Sequence, residues 1–277
     1  MVAQQSNLYI KEVIKMVTAT VKMAEMSWDE YENRINDDAV VLFAVGAVEQ
    51  HGYHMPLGTD FLLGNYIATR VAEEINGVVA PPVSYGARSQ PRTGGGPHRM
   101  GGVNLRPETL MNLVYDILLE FARHGAKKVA VIDAHYENRF FLDEACYRAQ
   151  QDIEAKGNKD FRIVKILYPE YIKPETIQKV YEGKYYPGLD LEHAGILETS
   201  MMLYAFPDLI NMDKAADEPP AEFPHYDVFP VKPEWVPASG CLSCGKEGNR
   251  EAGELLVEEF VVNASSILKK EYLSEKS

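Results

Sequence analysis

The segment Val40-Val41-Leu42-Phe43-Ala44-Val45, followed by Gly46 and then by Glu49-Gln50-His51-Gly52, decides the fold. Six consecutive apolar residues are typical of a short strand buried on both faces, as in a parallel sheet covered by helices. Glu49 and His51 follow this strand, and residues two apart in an extended segment point the same way. A carboxylate and an imidazole on one face, just beyond a strand, can ligate a metal ion.

A second copy of this arrangement lies downstream. Residues 129–132 predict another buried strand, and His135 and Glu137 follow it with the same spacing. Asp60 lies beside a predicted helix start and supplies a further carboxylate. We therefore predict that the two pairs hold two divalent ions with Asp60 between them. A single pair also fits ordinary loop residues with satisfied hydrogen bonds, but the duplication makes that alternative less favoured.

The composition indicates an ordinary globular protein. The chain has 277 residues, 46% of them apolar and 25% charged, which is ample material for a core. Twenty-eight basic and 41 acidic residues give a formal charge of 28 − 41 = −13. This acidity argues against nucleic acid or an anionic membrane as the main partner.

The sequence carries no sign of secretion or membrane insertion. Charged residues precede any apolar stretch at the N-terminus, and no run approaches the roughly 18 apolar residues of a membrane span. We therefore expect a cytoplasmic protein. Cys241 and Cys244 have the C-x-x-C spacing, but no second pair or neighbouring histidines complete a zinc site. We expect these cysteines to lie in a structural loop and to be dispensable for activity.

Strands alternate with helices along the chain, which predicts an α/β fold with a mostly parallel central sheet covered on both faces. The predicted strands are 40–45, 78–82, 128–132 and 162–167. The predicted helices are 28–35, 61–75, 107–124, 138–155, 174–181, 194–206 and 247–270. Residues 1–26 are predicted to be an irregular extension, and 85–103 and 213–246 to be loops. We find no internal repeat and no linker, so 1–277 is predicted to be one domain.

A third group of polar residues consists of Asp190, Glu192, His193 and Glu198, around a predicted helix start. His193 has an unperturbed pKa near neutrality and suits a proton shuttle. A histidine at a helix start with a backbone hydrogen bond is an equally good interpretation. The glycines 94–96 permit close approach of a substrate to the backbone, but they match no phosphate-binding pattern.

Five motifs together resemble the creatininase (creatinine amidohydrolase) family. They are Ala47-Val48-Glu49-Gln50-His51-Gly52 with Leu57-Gly58-Thr59-Asp60, Gly94-Gly95-Gly96-Pro97-His98, His135-Tyr136-Glu137-Asn138, Asp190-Leu191-Glu192-His193-Ala194-Gly195 with Glu198-Thr199-Ser200, and the segment Glu222 to Pro230. The resemblance covers about residues 26–270. It implies a three-layer α/β/α sandwich and a homohexamer.

The resemblance also implies roles for individual residues. Glu49, Asp60 and His135 would bind one metal ion, and His51, Asp60 and Glu137 the other. The metals would be zinc or manganese, with iron also found in relatives. A metal-activated hydroxide would attack a carbonyl, with His193 and Glu137 as catalytic residues. The residues implied to contact or adjoin a small cyclic substrate are Thr93, His98, Tyr136, Asp190 and Glu198.

One departure from the family bears on the substrate. Creatininase covers its flat substrate with two tryptophans, and Pro169 and Leu189 occupy those places here. We therefore expect creatinine to be a poor substrate, because both aromatic faces are lost. Three hypotheses remain: C–N ring opening of the creatinine type, C–C ring opening of a cyclic polyol diketone (the 3-dehydro-scyllo-inosose hydrolase type), and a catalytically silent metal-binding scaffold. In the second, Arg88, Arg92, Arg99 and His98 would supply polar contacts, although the arginines also suit a subunit interface.

Overall fold

A parallel sheet forms the centre of the molecule. The computed structural model describes residues 20–168 and 172–273. Within them the strands are β1 (Val41–Val45), β2 (Val78–Val83), β3 (Lys128–Asp133) and β4 (Arg162–Leu167). They lie in the order β2-β1-β3-β4, and every neighbouring pair is parallel. The predicted parallel sheet is confirmed.

Helices cover both faces of this sheet. In the described ranges the α-helices are α1 (Trp28–Asn36), α2 (Thr59–Ile75), α3 (Pro91–Gly94), α4 (Pro107–Arg123), α5 (Arg139–Ala155), α6 (Pro174–Val180), α7 (Ile196–Ala205) and α8 (Arg250–Leu268). Each βα connection brings the chain back to start another parallel strand, as such sheets require. The α/β class expected from the sequence is therefore confirmed.

Two apolar cores lie on opposite faces of the sheet. Leu42 and Ala44 of β1 pack with α2, α7 and α8 in one core. Val41, Phe43 and Val45 pack with α4 and α5 in the other. This alternation follows the two-residue period of a strand, and it explains why β1 is apolar at every position. The result is three layers, helix, sheet and helix.

The element boundaries differ from the predicted ones in places that bear on the site. Helix α2 begins at Thr59 rather than at residue 61, so Asp60 lies within its first turn. The helix ends at Ile75, and its C-cap residue Asn76 takes the left-handed conformation (φ 52°). Asparagine tolerates this conformation because its short polar side chain bonds locally.

Two segments predicted to be irregular contain regular structure. The loop 85–103 includes the short helix α3, which Pro91 starts at its first position. Of the predicted N-terminal extension, residues 1–19 lie outside the described residues. Residues 23–25 form a 3₁₀ turn, and Val79 N donates to Val21 O at 2.7 Å, so this part is bound to β2. None of the helices in 20–168 and 172–273 has the length and apolar character to cross a membrane.

Candidate metal centre

The candidate site lies at the carboxyl ends of β1, β3 and β4, where ligands bind in open α/β sheets. The loop after β1 carries Glu49 and His51, and the end of β3 leads to His135. Asp60 reaches the same edge because α2 starts very close to β1. A Cβ atom at Gly46 would lie only 2.5 Å from the main-chain nitrogen of Phe61, so only glycine permits this approach.

Five side chains form two clusters that share Asp60. In the first, His135 Nδ1 lies 3.3 Å from Glu49 Oε1 and 3.2 Å from Asp60 Oδ2. In the second, His51 Nε2 lies 3.1 Å from Asp60 Oδ1 and 3.7 Å from Glu198 Oε2. In each cluster the candidate ligand atoms lie within 4.8 Å of one another. The two oxygens of Asp60 thus face different clusters.

Each histidine at this site is oriented by a main-chain carbonyl. The hydrogen bonds are His135 Nε2 to Ala87 O (3.1 Å), His51 Nδ1 to Glu49 O (3.3 Å) and His193 Nε2 to Gln50 O (2.7 Å). Because a carbonyl only accepts, the bonded ring nitrogen carries the proton in each case. The other ring nitrogen is left to face the carboxylates, which is the usual arrangement of a metal-ligating histidine.

The donor atoms fit metal ions. Glu49 Oε2, His51 Nε2 and Asp60 Oδ2 are buried and have no hydrogen-bond partner in the described part of the chain. Buried polar atoms normally have hydrogen-bond partners. Three such atoms without one, distributed over the two clusters, therefore indicate a missing ligand. Imidazole nitrogen and carboxylate oxygen are ligands that zinc and manganese accept. Two divalent ions shared by these residues would supply that partner.

The electrostatics also favour bound cations. Burial by itself would lower the pKa of His51, but the charges of Asp60 and Glu198 raise it well above its usual value. Burial would likewise lower the pKa of His135, and Glu49 and Glu137 raise it in the same way. The surrounding carboxylates thus favour positive charge at this site, which either protons on the imidazoles or metal ions can supply. Metal binding must displace those protons.

Glu137 lies beside the first cluster, with its Oε2 atom 3.4 Å from His135 Nε2. Its Oε1 accepts hydrogen bonds from Thr93 Oγ1 at 2.5 Å and from Gln90 N at 2.9 Å. The role of Glu137 as a metal ligand stays a prediction. Among the described residues, Glu198 rather than Glu137 groups with His51 and Asp60. The reason is local: Tyr136–Asn138 is a 3₁₀ turn, so the alternation expected of an extended segment does not continue past His135.

His193 lies beside the clusters, and its role as a proton shuttle stays a prediction. It has the backbone partner described above, and its Nδ1 lies 3.6 Å from Glu49 Oε1. Its ring centroid is 4.4 Å from that of His51. The next residue, Ala194, has a φ of 55°, a strained conformation for alanine, and its N–H donates to Glu198 Oε2 at 2.7 Å. The backbone around His193 is therefore held in a costly conformation beside the clusters.

Only some of the residues implied to contact substrate line the cavity over the clusters. Thr93, Tyr136 and Glu198 line the cavity over the clusters. Asp190 accepts a hydrogen bond from Tyr136 Oη at 2.6 Å. His98 is exposed and does not line this cavity, because Pro97 and His98 lie beyond the turn that closes the glycine loop.

The structure describes one of the two positions at which creatininase has a tryptophan. Leu189 is half-buried and lines the cavity, so an aliphatic side chain forms part of its wall. Pro169 lies outside the described residues. The arginines considered as polyol contacts are absent from the described cavity wall: Arg99 donates to Pro237 O at 2.8 Å, and Arg92 pairs with Asp227 at 3.0 Å.

Sequence reasoning missed two residues that hold the site together. Gln50 Nε2 donates to Gly94 O at 3.1 Å and to Gly240 O at 2.9 Å, joining the glycine loop to the segment around the cysteines. Asn138 Oδ1 accepts from Ala87 N at 2.8 Å. Gln50 and Asn138 each lie next to a proposed ligand in the sequence. That position is the feature from which their role could have been predicted.

No cysteine belongs to a candidate metal cluster among the described residues. All three are free thiols. Cys241 is fully buried against Gly52, where an added Cβ would lie 2.4 Å from its Sγ. The side chain therefore packs behind the loop that carries His51. The dispensability of Cys241 and Cys244 for activity stays a prediction.

Comparison with known proteins agrees with this geometry. The family model described as creatininase, creatinine amidohydrolase, matches residues 24–268. The chain is 42% identical to a creatinine amidohydrolase of Pseudomonas putida over 92% of this chain and 99% of that protein. A solved structure named creatininase Mn superposes with a TM-score of 0.89 at 42% identity, over 92% of this chain and 99% of that one. A 3-dehydro-scyllo-inosose hydrolase of Thermotoga maritima is 23% identical over 72% of this chain and 60% of its own length.

Proposed function

Because the chain belongs to the creatininase family and is a metal-dependent hydrolase, we propose that it opens a C–N bond in a small cyclic amide with two divalent ions. The observation that carries the proposal is the sharing of Asp60 between two buried clusters. A carboxylate with one oxygen toward each cluster is suited to bridging two ions.

We assign the two sets of ligands as follows. Glu49, Asp60 and His135 hold one ion, and His51, Asp60 and Glu198 hold the other, with zinc or manganese as the metals. The three carboxylates contribute −3 against +4 for two divalent ions, so little charge is left uncompensated in the buried site. When bound, such ions supply a water nucleophile at neutral pH and polarise the carbonyl under attack.

The proton moves through His193 in this proposal. Hydrolysis of an amide leaves a nitrogen that cannot depart as a free anion near neutral pH, so a proton must reach it. The Nδ1 atom of His193 faces the clusters, while its Nε2 proton is retained by Gln50 O. Nδ1 therefore takes the proton of the attacking water and passes it to the leaving nitrogen.

Other residues orient the substrate. Thr93 and Tyr136 line the cavity, and Asp190 fixes the hydroxyl of Tyr136. Glu137 also lines the cavity, held by Thr93, and burial raises the pKa of its carboxyl. A raised pKa makes a carboxylate a better proton acceptor, so we propose that Glu137 takes part in proton transfer together with His193.

The cavity wall favours an amide over a polyol diketone. A polyol needs many hydrogen-bond partners, and the three arginines and His98 considered for that role do not line the cavity over the clusters, although Arg88 and Arg92 line the cavity next to it. Leu189 gives the wall an apolar patch instead. We therefore prefer C–N ring opening, and we expect creatinine itself to be turned over slowly because Leu189 offers no aromatic face.

The test is a parallel assay of the zinc- and manganese-loaded protein with creatinine, related cyclic amides and a cyclic inosose diketone. Metal-dependent hydrolysis of an amide with little action on the diketone is expected, and the reverse pattern would overturn the proposal. Leu189→Trp is expected to raise kcat/KM for creatinine by about 2- to 10-fold, the value of one aromatic contact. Leu189→Ala is the matched control, because it also removes the leucine but adds no ring.

A further inference from the structure

One tyrosine at the edge of the metal centre has no role in the scheme above. Tyr168 directly follows β4, and its main-chain N–H donates to Asp133 O at 3.1 Å, next to the end of β3. Its ring packs edge-on against Phe260, with centroids 6.2 Å apart. Both contacts fix the position of the ring. Its side chain lines the same cavity as the proposed ligands Glu49 and Asp60.

The hydroxyl of Tyr168 is buried without a partner. Its Oη makes no hydrogen bond with any residue in 20–168 or 172–273. Other tyrosines with largely buried hydroxyls are paired: Tyr272 Oη donates to Val129 O at 2.7 Å, and Tyr181 Oη donates to Glu192. A buried hydroxyl that gives up water without gaining a partner costs free energy, so such groups are rare outside functional sites.

We propose that Tyr168 is a catalytic residue whose hydroxyl donates a hydrogen bond to the carbonyl oxygen of the substrate. The proposal rests on the hydrolysis proposed above. In that reaction the water oxygen bonds to the carbonyl carbon, and the C–N bond breaks with its electron pair on nitrogen. The water proton reaches that nitrogen through His193. Negative charge grows on the carbonyl oxygen as the new C–O bond forms, and the proton of Tyr168 stabilises it there.

The physical case rests on position and preorganisation. A donor already fixed in a buried site does not have to reorganise as charge develops, so its stabilisation is larger than in water. The described residues that line the cavity with Tyr168 are rich in acceptors, notably Glu49, Asp60 and Glu198. An uncharged donor beside so many carboxylates suits the oxygen of a carbonyl better than it suits a cationic group.

The first test compares Tyr168→Phe with Tyr272→Phe in the metal-loaded protein, using the best amide of the substrate panel. Tyr168→Phe is expected to lower kcat by roughly 10²-fold, the effect of deleting one such donor, with KM changed less than about threefold. Metal content is expected to stay at the parent value and Tm not to fall, because the Tyr168 hydroxyl makes no hydrogen bond with the described residues. Tyr272→Phe removes a paired hydroxyl and is expected to lower Tm while kcat is kept.

The second test does not depend on turnover. Acetate binding to the metal-loaded protein is measured by calorimetry, since its carboxylate places oxygen where the carbonyl oxygen would lie. Tyr168→Phe is expected to weaken acetate binding by about tenfold, whereas Tyr272→Phe leaves it unchanged. If the parent hydrolyses no amide and Tyr168→Phe still binds acetate more weakly, the proposed reaction is overturned, but the role of the Tyr168 hydroxyl as a hydrogen-bond donor is supported. Unchanged kcat and unchanged acetate binding in Tyr168→Phe would overturn the role of Tyr168.

Discussion

At the scale of single residues, the site depends on which atom of each side chain faces inward. The histidines at positions 51, 135 and 193 each give one N–H to a main-chain carbonyl and present the other ring nitrogen to the clusters. Spacing in the sequence identified these residues, but it carried no information on ring orientation. Orientation comes from carbonyls of the folded backbone, such as Ala87 O, which lies 48 residues from His135.

The reassignment of one ligand gives a direct prediction. Glu198→Gln is expected to reduce the metal content to about one ion per chain, because Glu198 is the carboxylate that only the His51 cluster uses. Glu137→Gln is the comparison variant and is expected to keep two ions while losing activity, since Oε1 of Glu137 is held by Thr93 and its Oε2 lies 3.4 Å from Nε2 of His135, the ring nitrogen that faces away from Glu49 and Asp60. Elemental analysis of both variants decides the matter. Metal loss confined to Glu137→Gln would restore the sequence-based assignment.

A second residue-scale prediction concerns His54, which is buried beside the site and contacts Thr199 Oγ1 at 2.9 Å. Burial, with the charge of His51 nearby, lowers the pKa of His54 to about 4. In the unfolded chain His54 binds a proton as the pH falls below about 6.5, whereas in the folded chain it stays neutral down to about pH 4. The free energy of unfolding therefore falls as the pH drops from about 6.5 to about 4.

This loss amounts to roughly 2–3 kcal/mol. His54→Gln keeps a polar contact for Thr199 but cannot be protonated, so its free energy of unfolding should fall less between pH 7 and pH 4.5. Urea denaturation of the chelator-treated parent and variant at both pH values measures the difference. Equal losses in the two proteins would show that His54 does not titrate in this way.

At the scale of elements, much was predictable because apolar runs and their breaks are local. The four strands and the helices around them were found where the sequence placed them, within a few residues. Glu198 was harder, because it lies on α7, 138 residues beyond Asp60, and nothing local marks which helix faces the sheet edge. The surroundings of Glu137 were also hard to predict, because a 3₁₀ turn, which has no clear sequence signal here, interrupts the extended backbone after His135.

The junction between β1, β3 and the loop after β2 depends on one amide. Asn138 is fully buried, and its side chain bonds to Ala87 N at 2.8 Å and to Gly46 O at 3.1 Å. Asn138→Ala leaves these backbone groups buried and unpaired, so we expect it to lower the free energy of unfolding by about 2–4 kcal/mol. Asn33→Ala, at an exposed position of α1, is expected to change it by less than about 0.5 kcal/mol.

Urea denaturation with both variants measures these changes, and their metal content gives a second comparison. Because Asn138 fixes the turn that follows His135, its loss should also weaken metal retention on dialysis. A variant as stable as the parent and fully loaded would show that the junction is held by packing alone.

At the scale of the whole molecule, the exposed aromatic surface indicates self-association. Phe140 is 75% exposed and Phe229 is 81% exposed in the isolated chain, and both border a cavity of about 580 Å³ that also contains Trp235. Such apolar patches commonly mark protein interfaces. Together with the family resemblance, this leads us to predict a hexamer.

Light scattering on the purified protein tests the assembly, with an expected mass of six chains. Phe229→Asp is expected to shift the distribution toward smaller species, because it places a charge on the patch. The matched control is Tyr147→Asp, which places a charge at an exposed aromatic position of α5 outside the residues that border this cavity. A monomer at micromolar concentration in the parent would contradict the prediction.

The central claim is that Asp60 holds two ions at once, one on each carboxylate oxygen. Elemental analysis of the zinc- and manganese-loaded protein after extensive dialysis tests it most directly, with Asp60→Ala compared with the parent and with Asp190→Ala. We predict two divalent ions per chain in the parent and in Asp190→Ala, and almost none in Asp60→Ala, because both clusters lose a ligand. Two ions retained by a folded Asp60→Ala protein, or a single ion in the parent, would contradict the account.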